Sequence, residues 1–220
     1  MTRQRLEKIK QVMNRRQKDL TVVMENVHKP QNMAAIARTC DAVGISELHV
    51  VQNVRRRSFM NAKSAGGCKR WINIVSHKTI DRAYDSLRQK GFQILAAHFS
   101  EDATQFRKID YTVPTAIVVG SELDGMSDYA ATRADKNIII PMMGMSQSLN
   151  VSVATALILF EAQRQREEKG LYDSGGDTIT RFPLEWAYPS VVKHYRARNL
   201  PLPEIDDEGN IIHEDLPAKN

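Results

Sequence analysis

Three short stretches of this chain hold residue types whose spacing could do chemistry. In NMAAIARTCDAVG (32–44), Met33, Ile36, Ala37 and Cys40 share one helical stripe. Arg38 lies roughly opposite, about 140° from Met33 at ~100° per residue. Pro30 and Asn32 mark a helix start just after an apolar run, so Arg38 stands one and a half turns from a strand–helix junction. Such junctions hold the ligands of α/β sheets, and helix N-termini favour anions. An ordinary surface arginine is the competing reading. In VVGSELDGMS (118–127) a strand runs into Gly120 and Gly125 with the carboxylate of Glu122 between them. Glycine lets backbone approach a ligand closely, although a turn with a solvated acid has the same composition. In IIIPMMGMSQSLN (138–150), Met142, Met143 and Met145 alternate with small polar residues before a long apolar helix. With Met126 these thioethers suit an apolar, polarizable wall for an adenosine or thioether ligand. Ser148 or Asn150 also suits a helix N-cap.

Other chemistries are excluded by what the motifs lack. GSELDGMS has the outline of a phosphate loop, but Met126 occupies the position of the lysine that would hold the β- and γ-phosphates. There is no G-x-G-x-x-G fingerprint, no H-E-x-x-H and no G-x-S-x-G elbow. The six histidines show no pair at ligand spacing, so no metal is expected. Cys40 lies on an apolar stripe and reads as a small core residue.

The elements that must position these stretches form an α/β pattern. Apolar runs at 20–27, 47–51, 72–76, 92–98, 115–120 and 136–141 alternate with helical patterns at 32–43, 79–89 and 127–134. Several runs are continuously apolar, as in strands covered on both faces, so the expectation is a parallel sheet. A helix over 149–168 begins VSVATALILF, apolar all round, and must be buried on every side, a subunit interface being a natural place. A helix over 3–17 precedes the sheet, and a helix near 184–199 and a poorly ordered acidic end follow it. This divides the chain into a basic N-terminal helix (1–19), an α/β domain (20–168) and a C-terminal extension (169–220).

Charge sharpens this division. Of the formal net +5, residues 1–20 alone hold seven basic and two acidic residues, whereas 201–220 hold one basic and six acidic. A basic head is the electrostatic footprint of a polyanion binder, and equally of a solvated amphipathic helix. No apolar run approaches the ~18 residues of a membrane span, and two cysteines make no disulfide framework, so a reduced cytoplasm is expected.

In this order the three stretches resemble the SpoU/TrmH family of the SPOUT superfamily of RNA 2′-O-ribose methyltransferases. The resemblance rests on Asn32 with Arg38 in N-x-x-x-x-x-R-T, on Gly120–Ser121–Glu122 with Gly125, and on IIIPMMGMSQSLNVSVATAL. It implies a parallel α/β sheet ending in a deep trefoil knot, with helical extensions at both ends. It further implies a homodimer that transfers a methyl group from S-adenosylmethionine, leaving S-adenosylhomocysteine, to the ribose of guanosine-18 in the D-loop of tRNA. Arg38 would be catalytic, with Asn32, Glu122, Ser148 and Asn150 in support. The cofactor would meet backbone near Ala97, Gly120, Ile140 and Leu149.

The tRNA would be gripped by Arg15 and Arg16 first, then by Arg3, Lys8, Lys10, Arg55, Arg56, Arg57, Arg164 and Arg166. Gln31 departs from the histidine that many relatives carry before the asparagine, and Ala97 from a hydroxyl residue. Free arginine titrates at ~12.5–13.8, so Arg38 acts either as a strongly desolvated base or as a grip on phosphate that orients the hydroxyl. The competing functions are the same reaction on ribosomal RNA and RNA binding without catalysis. Ribosomal relatives commonly carry an additional N-terminal RNA-binding domain, and from the early position of Asn32 none is expected here, which favours tRNA.

Overall fold

The computed structural model describes residues 2–51, 71–121, 125–173, 184–206 and 210–212. Two compact units are present, Gln17–Tyr172 and a second one made of Met1–Arg16 with Asp173–Asn220. Among its described residues the larger unit holds seven parallel strands: β1 (Leu20–Glu25), β2 (Glu47–Val51), β3 (Asn73–His77), β4 (Gln93–Ala97), β5 (Thr104–Gln105), β6 (Thr115–Val119) and β7 (Lys136–Ile139). They lie in the order β3-β2-β1-β6-β4-β7-β5. The parallel α/β expectation is met. The two-residue edge strand β5 is too short to leave any alternation in the sequence.

Alternate side chains of each strand leave opposite faces of a sheet, and the core divides accordingly. Val22, Met24, Ile117 and Val119 join one cluster with Met33, Ile36, Ala37 and Cys40 of α2 (Pro30–Ala42) and Ile158, Leu159 and Ala162 of α5 (Val151–Glu168). Val23, Ala116 and Val118 join the other with Ile80, Ala83, Tyr84 and Leu87 of α3 (Ile80–Gln89) and Ala130 and Ala131 of α4 (Asp128–Arg133). Both faces are covered, which is why β1 and β6 are buried along their whole length.

The chain leaves β1 toward β2 through α2 on one face, and leaves β6 toward β7 through α4 on the other. Neighbouring strands whose continuations diverge in this way open a crevice at their carboxyl ends.

Within one chain, α5 is covered on one side only. Thr155, Ile158, Leu159 and Ala162 face the core, while Val153, Leu157 and Phe160, spaced as one helical stripe, are exposed, Phe160 by 53%.

The smaller unit contains α1 (Arg3–Asn14), α6 (Leu184–Ala187), α7 (Pro189–Ala197) and an antiparallel pair, β8 (Glu204–Ile205) with β9 (Ile211–Ile212). Thr2 caps α1 by accepting from the Arg5 amide. The single helix expected near 184–199 is two, separated at Tyr188, because Pro189 has no amide hydrogen to continue the first. Trp186 is buried; its carbonyl accepts from Arg5 Nη2 at 3.0 Å, and the Arg16 guanidinium lies 5.2 Å from its ring centroid. Among the described residues no helix is long and apolar enough to cross a membrane.

Candidate active site

Ala97 ends β4, Gly120 follows β6 and Ile140 follows β7, so three of the four expected cofactor contacts lie at the carboxyl ends of three neighbouring strands. Leu149, the fourth, is half-buried just before α5. Ala97 and Ile140 are partly buried against the core and offer small apolar surface beside strand-end backbone, which fits an adenosine ligand. Gly120 is required by its own loop. A Cβ there would stand 2.2 Å from the Met126 nitrogen and 2.3 Å from the Gly125 carbonyl carbon, so only hydrogen fits. The Ser121 amide donates to the Gly125 carbonyl at 2.8 Å and closes the loop at its base.

The methionines do not form the expected wall. Met126 is buried in the core below α4, whereas Met143 and Met145 are 94% and 100% exposed. Residues 143–148 are exposed and Met142 is half-buried.

Asn32 and Asn150 are 118 positions apart in sequence and are brought together, Asn150 Nδ2 donating to Asn32 Oδ1 at 3.4 Å. Asn150 is also the N-cap of α5, its Oδ1 accepting from the Ser152 amide at 2.9 Å. Asn32 does not cap its helix. The cap position is Lys29, Pro30 opens the helix, and the buried Asn32 side chain faces α5 instead. Arg38 therefore sits in the third turn of α2, one turn deeper than its sequence suggests, and is exposed. Ser148 is exposed in the loop before Asn150. Glu122 and Arg55, Arg56 and Arg57 lie outside the described residues.

The remaining basic candidates separate by environment. Arg3, Lys8, Lys10 and Arg15 are exposed on or just after α1, and Arg3 pairs with Glu7 at 3.2 Å. Arg16 is partly buried against Trp186. Arg164 is exposed between Glu161 (2.8 Å) and Glu168 (2.7 Å). Arg166 is 1% exposed. Its Nε donates to Gln17 Oε1 at 2.8 Å, Nη1 to the Tyr111 carbonyl at 2.9 Å, and Nη2 pairs with Asp19. A guanidinium so placed holds the start of the unit to the end of α5, which corrects its expected place on the RNA surface.

Two features escaped sequence reasoning. Glu25, at the end of β1 and 5% exposed, accepts from the Ser127 amide (2.9 Å) and the Ser127 hydroxyl (2.7 Å). A lone glutamate closing an apolar run, LTVVME, was the available signal. The histidines are not all scattered: His49 Nδ1 and His77 Nε2 lie 2.8 Å apart, because β2 and β3 pair in a register that sets His49 beside Val75 and Val51 beside His77.

The SpoU rRNA Methylase family model matches residues 19–160, and the model of the SpoU rRNA methylase C-terminal region matches 164–214. The tRNA (guanosine(18)-2′-O)-methyltransferase of Escherichia coli (strain K12) is 46% identical over 212 residues, covering 94% of this chain and 92% of its own. The crystal structure of the Aquifex aeolicus TrmH/SpoU tRNA modifying enzyme superposes with a TM-score of 0.75 at 40% identity, covering 90% of this chain and 98% of its own. An AdoMet-bound rRNA methyltransferase from Sinorhizobium meliloti superposes at 0.60 with 29% identity, over 71% of this chain and 59% of its own. With a family model spanning most of the sheet and relatives matching nearly end to end, the chain belongs to the SpoU rRNA methylase family.

Proposed function

We propose that this protein is an S-adenosylmethionine-dependent methyltransferase acting on the ribose 2′-hydroxyl of guanosine-18 in the D-loop of tRNA. The single observation that carries the reading is the convergence, at the carboxyl ends of β1, β6, β4 and β7, of Asn32, Asn150, Gly120 and the half-buried Ala97 and Ile140. Near-full-length identity to the tRNA enzyme selects tRNA within the family.

The backbone near Ala97, Gly120, Ile140 and Leu149 would hold the cofactor, whose sulfonium supplies an already activated methyl group. The protein's own residues must then place the hydroxyl oxygen in line and let its proton leave. Asn150 is locked as a helix cap and bonded to Asn32, so the two amides form a fixed polar floor between α2 and α5. Arg38, exposed and in the third turn of α2, keeps its guanidinium in water, which favours its gripping a phosphate and orienting the hydroxyl over acting as a desolvated base. Ser148 and Glu122 belong to the same reading as supporting residues.

Arg3, Lys8, Lys10, Arg15, Arg16, Arg55, Arg56, Arg57 and Arg164 are its RNA grips. The deep trefoil knot and a cytoplasmic site of action also belong to it. A homodimer does so with particular support, since Val153, Leu157 and Phe160 present an apolar stripe on α5 that a second copy would cover.

The test is transfer of a labelled methyl group to unmodified tRNA transcript and to ribosomal RNA, with the product mapped by nuclease digestion and mass spectrometry. Label on the D-loop guanosine ribose is expected. No label, or label elsewhere, sinks the proposal.

A further inference from the structure

We infer that Glu25 is a positioning residue that sets the cofactor contact at Gly120 by holding Ser127, at the end of the segment 125–127 packed against that glycine, across the crevice between β1 and β6. The inference rests on the function proposed above and adds a residue to its site.

The geometry is specific. β1 and β6 are neighbours in register through Met24 and Val119, so Glu25 and Gly120 are the next residues of the two strands, where the chain departs to opposite faces. At that point the loop folds back on Gly120 so tightly that a Cβ is excluded. Both Glu25 oxygens are used by one residue, Oε2 by the Ser127 amide and Oε1 by its hydroxyl. The same hydroxyl accepts from the Ala130 amide at 3.1 Å and so caps α4, while the Ala130 carbonyl accepts from the Tyr84 hydroxyl at 3.1 Å. Among the described residues no cation pairs with Glu25, so the carboxylate is held in place by its two donors.

Burying an unpaired carboxylate is costly, and such a group keeps its place only where its hydrogen bonds matter to the fold around it. Here those bonds fix the exit of the loop whose entrance, Gly120, is a cofactor contact. On the other side Glu25 leads through Asn26, at φ 53°, toward Asn32 and Arg38 on α2. One side chain thus ties the two halves of the site. Both of its oxygens are taken up by Ser127, so its effect must appear in cofactor affinity.

The experiment is calorimetric titration of S-adenosylmethionine into the wild type, Glu25→Ala, Glu25→Gln and Ser127→Ala, with hydrogen exchange of the apo proteins over 118–130. Glu25→Ala should bind about tenfold more weakly and expose the Ser127 amide to exchange. Glu25→Gln, which keeps one acceptor oxygen, should recover part of both. Adding Glu25→Ala to Ser127→Ala should cost less than the two singles together. In tRNA methylation the change should fall on KM for the cofactor, with kcat within about threefold of wild type. If Glu25→Ala binds within about twofold of wild type, or loses only thermal stability, the inference is overturned while the proposed function stands. If the wild type binds no S-adenosylmethionine, both fall.

Discussion

Replacing Arg166 by methionine tests most directly whether the structure or the charge pattern assigns this residue correctly. The side chain keeps its volume along the stem and loses three donors, to Gln17, the Tyr111 carbonyl and Asp19. Asp19 is partly exposed and recovers water, but Gln17 and Tyr111 are both buried. Removing one partner of a buried ion pair costs about 3–5 kcal/mol, and the exposure of Asp19 places the expected loss at the lower end, ~3 kcal/mol. In a unit of this size each kcal/mol moves the midpoint by roughly 2–4 °C, so Tm should fall by about 6–12 °C.

Thermal melts followed by circular dichroism measure that. Filter binding of tRNA over a salt series, below the lowered midpoint, measures the rest: both affinity and the slope of log K against log salt should match the wild type, since no phosphate contact is removed. A midpoint within about 2 °C of wild type, together with a shallower salt slope, would refute the burial argument and return Arg166 to the RNA surface.

Three further outcomes are expected. Gly120→Ala forces a Cβ into the backbone of residues 125–126, so S-adenosylmethionine binding by calorimetry should be lost; retained affinity would show the loop able to open at little cost. Asn150→Ala removes the cap of α5 and the contact to Asn32, lowering stability by ~1 kcal/mol in urea melts and methylation by a larger factor than that loss explains. Burial pushes His49 down to about 4, against the opposing pull of Glu47, so it stays neutral when folded whereas the unfolded side chain gains its proton at ~6.5. Stability in place above about pH 6.5 should therefore fall as pH drops toward 4, and His49→Gln should flatten that slope in urea melts; parallel slopes would count against the linkage.

How much of this was legible beforehand depended on whether the deciding contact was local. The stripe Met33, Ile36, Ala37 and Cys40 is a matter of helical period, and all four are buried as read. Asn150 sits just ahead of an apolar helix and caps it. The strand–helix alternation carried the parallel sheet for the same reason. Arg166 continues the buried stripe Thr155, Leu159 and Ala162, but in the polar run EAQRQREEK its charge argues for solvent, and the partners that let it be buried, Gln17 and Asp19, lie far away in sequence. The His49–His77 pair depends on the register between β2 and β3, which no single strand encodes. The all-apolar start of α5 tells that the helix is covered but not by what: its own core covers one side, and Val153, Leu157 and Phe160 stay exposed in the single chain. Pro30 and Asn32 mark the helix start, and Pro30 is its first residue, which leaves the Asn32 amide for Asn150.

The small unit built from both ends of the chain sets a constraint on synthesis. Arg5 and its acceptor at Trp186 are 181 residues apart, so α1 leaves the ribosome long before the residues it packs against exist. At roughly 5–20 residues per second that wait is about 10–35 s, during which the intervening sheet can fold as its strands appear. α1 holds four Lys and Arg against one Glu, and that charge keeps the waiting helix soluble. A ribosome that stalls before Trp186 leaves the basic helix without its seat, so the small unit forms only on chains that have passed that point.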